Sequence, residues 1–236
     1  MQPFGDLPRP VVMGHRGAPG EAPENTPAAF AAAAAAGAAW VELDTRASAD
    51  GVVVVHHDAW IADGRAVRDV AADALQAMGV WTFADVLDRL PDGLGVDVEL
   101  KNLPGEPDYD ADEGLTVLVA ALLRDCRRPV MTSSFNPATV QASREQLPDV
   151  PAGLLTTAGL RTMAGVAIAH EVGAQVYCPH VETPELDVAA VEAAHAAGMT
   201  VLVWTVDDLD GAALLAGAGV DALCTNDPRG LVRALG

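Results

Sequence analysis

Residues 27–44 read PAAFAAAAAAGAAWVELD, and the two halves of this stretch require different backbones. Pro27 to Ala36 is nearly all alanine, the residue that loses least on entering a helix. Proline is tolerated at a first helical position, where its missing N–H would have had no partner. Thr26 stands where a capping hydroxyl is wanted, and Gly37 where the helix should stop. From Trp40 onward the residues suit a strand, with Glu42 and Asp44 two apart and so on one face of it. The alanine tract is therefore a helix, and the unit reads helix, glycine turn, strand.

The same alternation runs outward in both directions. Strand candidates are Pro10–His15, Trp40–Asp44, Gly95–Leu100, Pro129–Ser133, Gly153–Thr156, Gln175–Cys178, Thr200–Thr205 and Asp221–Thr225. Helix candidates are Pro27–Ala36, Thr82–Leu90, Asp112–Cys126, Pro137–Gln146, Leu160–Val172, Pro184–Ala197, Leu209–Ala216 and a closing Pro228–Leu235, with Gly173, Gly198 and Gly217 at further expected stops. Eight alternating units predict one (β/α)₈ TIM barrel, α/β in class, rather than an open doubly wound sheet. We expect it to form a single domain over residues 1–236. The rhythm breaks once, at residues 51–80, where Val52-Val53-Val54-Val55-His56-His57 predicts an extra strand and loop over the barrel mouth.

Composition narrows the function. The chain has 33 acidic and 14 basic residues, a net charge of −19, which argues against nucleic acid and against anionic membrane surfaces. Charge is screened beyond roughly 8 Å at physiological salt, so a local site for a small anion remains compatible with it. Cys126, Cys178 and Cys224 form no C-x-x-C pair and read as buried small hydrophobes. Met1–Pro10 has no basic segment leading into an apolar one, and the most apolar run, Pro27–Val41, falls short of the roughly 20 residues needed to cross a bilayer. These features predict a soluble, cytoplasmic protein with no stable membrane insertion.

Catalytic side chains in such barrels come from the C-terminal strand ends. The first candidate strand ends His15-Arg16-Gly17, the second carries Glu42 and Asp44, and in the third Asp97, Glu99 and Lys101 share a face. Carboxylates converging in a barrel mouth would repel one another and be forced to protonate unless a cation held them. An oxygen-only donor set favours one divalent cation, Mg²⁺ or Ca²⁺, with Mn²⁺ possible. For any one of these carboxylates, an ion pair with Arg16 or Lys101 is an equal alternative.

The sequence also resembles the glycerophosphodiester phosphodiesterase family, in its bacterial short form, over nearly its whole length. The match runs through Gly14-His15-Arg16-Gly17, Pro23-Glu24-Asn25-Thr26, Val41-Glu42-Leu43-Asp44, Val55-His56-His57-Asp58, Val98-Glu99-Leu100-Lys101, Ser134-Phe135-Asn136, Val203-Trp204-Thr205-Val206 and Thr225-Asn226-Asp227-Pro228. The resemblance implies that His15 and His57 form the acid–base pair and that Glu42, Asp44 and Glu99 bind the metal. It further implies that Arg16 and Lys101 contact phosphate, that Trp204 lines the glycerol pocket, and that a small glycerophosphodiester is the substrate. The chain departs from the family after the His-Asp pair, where it reads Ala59-Trp60-Ile61, and at Asp207, where Asn is usual. Phosphodiester cleavage needs charge on the non-bridging oxygens, an activated nucleophile and a proton for the leaving alkoxide, which a metal, a cation and two histidines would supply.

Other readings are open at this level. Lysophospholipase D or sphingomyelinase D-like head-group cleavage is the nearest rival. A Schiff-base lyase using Lys101, its pKa lowered by burial, and a non-catalytic binding barrel come from other classes. His56 should face away from His57, and His170 and His195 fall on helices as surface residues. His180 has no assigned role. Trp60 and Trp81 could form an apolar lip for the substrate's alcohol or pack the excursion onto the barrel. Asn25 could orient a catalytic group or serve helix entry.

Overall fold

The computed structural model describes residues 3–236; Met1 and Gln2, at the head of the segment with no secretory pattern, lie outside the described residues. In chain order the elements are β1 (Val11–Gly14), α1 (Pro27–Ala35), β2 (Trp40–Ala47), β3 (Val53–Val55), α2 (Ala72–Ala77), β4 (Trp81–Thr82), α3 (Phe83–Arg89), β5 (Gly95–Leu100), α4 (Gly114–Leu123) and β6 (Val130–Ser134). There follow α5 (Pro137–Gln146), β7 (Ala152–Thr156), α6 (Thr162–Glu171), β8 (Val176–Pro179), α7 (Val188–Ala196), β9 (Thr200–Val203), α8 (Leu209–Ala218), β10 (Ala222–Thr225) and α9 (Pro228–Leu235). Strands β1, β2, β5, β6, β7, β8, β9 and β10 pair in parallel, and β10 returns to β1 with Gly14 opposite Thr225. The sheet closes on itself with helices between its strands, the barrel that the sequence predicts.

Strand alternation sends one side-chain set inward and the other out to the helices. The outward set, Val41, Leu43, Val96, Val98, Val201 and Val203 among it, joins Phe30, Val119 and Leu231 of the helices in the larger apolar cluster. The inward set differs between the two ends. At the N-terminal end Trp40, Val11, Met131 and Val176 fill the interior, with Phe4 edge-on to Trp40 at 5.3 Å between ring centroids. Gly95 leaves the space the Trp40 indole occupies, since a Cβ there would collide with its ring. One step or two further along the same strands, the inward positions are Glu42, Asp44, Asp97 and Glu99.

Helix starts follow short-range chemistry. Thr26 Oγ accepts from Ala29 N, and Thr82, Asn136, Asp187, Asp208 and Asp227 cap α3, α5, α7, α8 and α9 in the same way. Two sequence expectations need correction. α7 begins at Val188, not Pro184, because Asp187 is the side chain that caps it. Gly217 lies inside α8, and Gly219, with φ +88°, is the left-handed stop.

The excursion is also more than a strand and a loop. β3 pairs antiparallel with the end of β2, Val55 opposite Thr45, and β4 adds a further strand. A 3₁₀ turn at Val67–Asp69 and α2 complete it around Val54, Ile61, Val67, Val70 and Leu75. Of the cysteines, Cys178 and Cys224 are buried as expected, whereas Cys126 is only partly so. No helix among the described residues is long and apolar enough to cross a membrane.

Candidate active site

His15 follows the last residue of β1, its backbone N–H held by Thr225 O at 2.9 Å. The chain then turns sharply through Arg16 and Gly17, both at positive φ. A Cβ on Gly17 would lie 2.6 Å from the carbonyl carbon of Ala29, so only glycine lets α1 pack this close. The turn aims the Arg16 N–H at Glu42 Oε2, 2.8 Å away.

Glu42, Asp44 and Glu99 come from β2 and β5, which pair side by side with Asp44 opposite Glu99. They are buried, and each offers an oxygen within 4.8 Å of the others. Burial, then the charges of Asp44, Glu99 and Asp97, push the Glu42 carboxyl well above its usual range. Its Oε1 is buried with no hydrogen-bond partner. Glu99 is pushed up to about 7, first by burial. Burial pushes Asp44 up too, but Lys101 and Arg16 outweigh it and leave the carboxyl below its usual value. Asp97 lies in the same interior, pushed up to about 8 chiefly by burial.

Lys101 Nζ lies 2.9 Å from Glu99 Oε1 and 3.3 Å from Asp44 Oδ1, and Arg16 Nε lies 3.2 Å from Asp44 Oδ2. The alternative of ion pairing is thus realised for Asp44 and Glu99, not for Glu42 with Arg16's side chain or for Asp97. Burial alone would lower the Lys101 pKa, but Glu99 and Asp44 more than reverse it and raise it. This contradicts the premise of a Schiff-base lysine, which needs a depressed pKa. Asn25 Nδ2 donates to Asp44 Oδ2 at 2.8 Å.

The two histidines have parallel settings. His15 Nδ1 is 2.8 Å from Asn226 Oδ1, and His57 Nδ1 is 2.6 Å from Asp58 Oδ1. Both partners accept, so each ring carries its hydrogen on Nδ1; His15 Nε2 faces Glu42 Oε2 at 4.0 Å. Burial is the largest influence on either ring and lowers both pKa values. His57 arrives just past β3, and its carbonyl accepts from Arg46 Nε at 2.9 Å and Nη2 at 2.7 Å. Arg46, only 1% exposed, also pairs with Glu106 and Asp108. Sequence reasoning missed Arg46, although its spacing of two from Asp44 places it on the acidic face of β2.

A pocket of about 130 Å³ is lined by His15, Arg16, Glu42, His57, Glu99, Lys101 and Trp204, with Asp97, Ser133 and Phe135 beneath and beside them. Of the expected site residues only Asp44 stays off its wall, held behind it by Asn25, Arg16 and Lys101. Trp204 is fixed by its Nε1 donating to Cys178 O at 2.9 Å and by edge-on contact with Phe135 and His180, which gives His180 a packing role. A wider groove of about 720 Å³ shares His57, Lys101 and Phe135 with the pocket and includes Trp60, 53% exposed. Trp81 instead packs under Arg89. His56 Nε2 lies 3.4 Å from Trp60 O, and His56 lines neither the pocket nor the groove that His57 lines. His195 is a partly exposed helix residue that pairs with Asp221 at 2.8 Å.

Residues 15–229 match the model of the glycerophosphoryl diester phosphodiesterase family. A glycerophosphodiester phosphodiesterase of Caldanaerobacter subterraneus is 27% identical over 94% of this chain and 96% of its own. The phosphodiesterase of Oleispira antarctica, solved with sn-glycerol-3-phosphate as product, superposes with a TM-score of 0.85 at 24% identity over 100% of this chain and 99% of that one. The Thermotoga maritima glycerophosphodiester phosphodiesterase gives 0.80 at 23% over 96% and 99%, and both structures share the barrel described above. With a family match that spans every strand end carrying these residues, the chain belongs to the glycerophosphoryl diester phosphodiesterase family.

Proposed function

We propose that the chain is a divalent-metal-dependent phosphodiesterase that hydrolyses glycerophosphodiesters to glycerol 3-phosphate and an alcohol. The observation that carries this is the pairing of two imidazoles, each with Nδ1 held by an oxygen acceptor, on one small pocket whose wall also holds Glu42, Glu99, Arg16 and Lys101. The donor set fits a hard cation. Glu42 Oε1 is buried without a partner, and its carboxyl is pushed toward protonation by its neighbours, a state that a divalent cation held by Glu42, Asp44 and Glu99 would reverse. All the donors are oxygens, which favours Mg²⁺, Ca²⁺ or Mn²⁺. When bound, the cation supplies positive charge for the non-bridging phosphoryl oxygens.

The remaining chemistry falls to the chain's own groups. Arg16 and Lys101 add fixed positive charge beside the phosphate, and Trp204 walls the glycerol side. One imidazole takes a proton from the attacking hydroxyl, of water or of the substrate's own glycerol, at its Nε2. The other gives a proton to the departing alkoxide as the P–O bond breaks. Burial keeps both rings neutral near pH 7, so the donor must first take a proton from solvent or substrate.

Incubation with a panel of glycerophosphodiesters and with bis(p-nitrophenyl) phosphate, under Mg²⁺, Ca²⁺ or Mn²⁺, tests the reading directly. Release of glycerol 3-phosphate that EDTA abolishes is expected. Turnover of no diester with any of the three ions would leave a binding barrel as the better account. The lysophospholipase D-like alternative has one observation behind it: an apolar depression of about 260 Å³, lined by Leu154, Leu160 and Ile168, meets the site at Phe135 and Leu155. Faster cleavage of a lysophospholipid than of its deacylated counterpart would favour it.

A further inference from the structure

Asp207 lies on the loop between β9 and α8, and its carboxylate accepts three hydrogen bonds. Oδ1 takes Thr225 Oγ1 at 3.0 Å and the Asn226 backbone N–H at 2.8 Å, while Oδ2 takes Asn226 Nδ2 at 2.7 Å. A carboxylate can only accept, so the Asn226 amide must turn its NH₂ toward Asp207 and its oxygen toward His15. That oxygen lies 2.8 Å from His15 Nδ1 and likewise only accepts. Nδ1 therefore carries the ring hydrogen, and in the neutral imidazole Nε2 is left as a lone pair, 4.0 Å from Glu42 Oε2, on a residue that lines the pocket. His57 reaches the same state directly through Asp58. For His15 the intermediate is an amide, which has no preference of its own. Rotated by half a turn, it would present NH₂ to Nδ1 and drive the hydrogen to Nε2.

We propose that Asp207 is a positioning residue which, through Asn226, holds His15 in the tautomer whose Nε2 can accept a proton. The inference rests on reading His15 as an acid–base group, and its first test needs no turnover. Long-range ¹H–¹⁵N correlation spectra of ¹⁵N-histidine protein with Mg²⁺, recorded above the imidazole titration, report which nitrogen carries hydrogen, with His15 assigned from the His15→Gln variant. The wild type should show His15 with hydrogen on Nδ1. In Asp207→Ala the Nε2–H form should appear, and kcat on a glycerophosphodiester should fall about tenfold with KM little changed, about the worth of one hydrogen bond. Asp207→Asn has a single acceptor, which the Thr225 hydroxyl and the Asn226 backbone N–H claim, so its NH₂ meets Asn226 Nδ2, and it should shift the tautomer and lower kcat as Asp207→Ala does.

An Nε2–H tautomer in the wild type, or an Asp207→Ala protein unchanged in both tautomer and kcat, would overturn the proposal. So would an Asp207→Asn protein that keeps the wild-type tautomer. If the tautomer shifts as expected but the wild type cleaves no diester, the positioning role stands and the catalytic reading is what fails.

Discussion

His15 and His57, the proposed acid–base pair, each depend on a neighbour for their aim. Replacing either with alanine should lower turnover at least about a hundredfold, the lower bound for a placed acid or base, while the melting curve stays near that of the wild type. Arg46 acts on His57 through the backbone: its guanidinium clamps the His57 carbonyl and joins it to Glu106 and Asp108 on the loop after β5. Arg46→Ala would leave the Asp108 carboxylate buried without its cation, so a loss of roughly 3 kcal/mol by urea denaturation is expected, together with a fall in kcat. Asp97 makes a pH prediction. Its carboxyl is pushed up to about 8 in the folded protein, while in the unfolded chain it titrates near the ordinary 3.8. Between those values the folded form keeps a proton the unfolded form has released, so raising pH works against folding, and the effect levels off above about 8. Metal-free Asp97→Asn, which mimics the protonated acid, should therefore gain on the wild type progressively from about pH 4 to pH 8 in parallel denaturation series. A constant difference across that range would show that Asp97 does not titrate in this way.

Among the elements, β2 does most to assemble the site. It pairs with β1, β5 and β3 and carries Glu42, Asp44 and Arg46 on one face. Its inward face was legible because alternation is a two-residue signal, and so was α1, whose cap and stop lie within a turn of its ends. The β1–α1 turn is the most exacting join. Gly17→Ala would place a Cβ against the Ala29 backbone at a φ of +91°. It should cost on the order of 2–3 kcal/mol by urea denaturation and weaken metal binding, since the same turn aims the Arg16 N–H at Glu42. The excursion was less legible: Val52–Val55 shows a strand, but its partner and the small cluster around Leu75 depend on chain ends brought together by β2 and β4.

For the molecule as a whole, the net charge of −19 and a buried carboxylate cluster point the same way. A cation that binds only the folded state stabilises it by about 2.7 kcal/mol at a hundredfold excess over its Kd. For a chain of this length that is a rise in Tm of roughly 5–10 °C. Mg²⁺, Ca²⁺ and Mn²⁺ titrations followed by calorimetry should show such a rise for at least one ion, and Glu42→Gln should abolish it. Equal Tm shifts in wild type and Glu42→Gln would place the ion elsewhere on the acidic surface.

The barrel, its eight parallel strands and the charged ends of β1, β2 and β5 were determined by the sequence alone, because periodicity, caps and i, i+2 faces are local properties. The protonation and partnership of the same side chains were decided only in three dimensions. Whether Lys101 is a depressed-pKa nucleophile or a held cation depends on Glu99 and Asp44 meeting it inside the barrel. Arg46 finds Asp108 from 62 residues away, and His15 finds Asn226 from 211. Burial and charge act through space, and no short window of sequence contains the groups that set them.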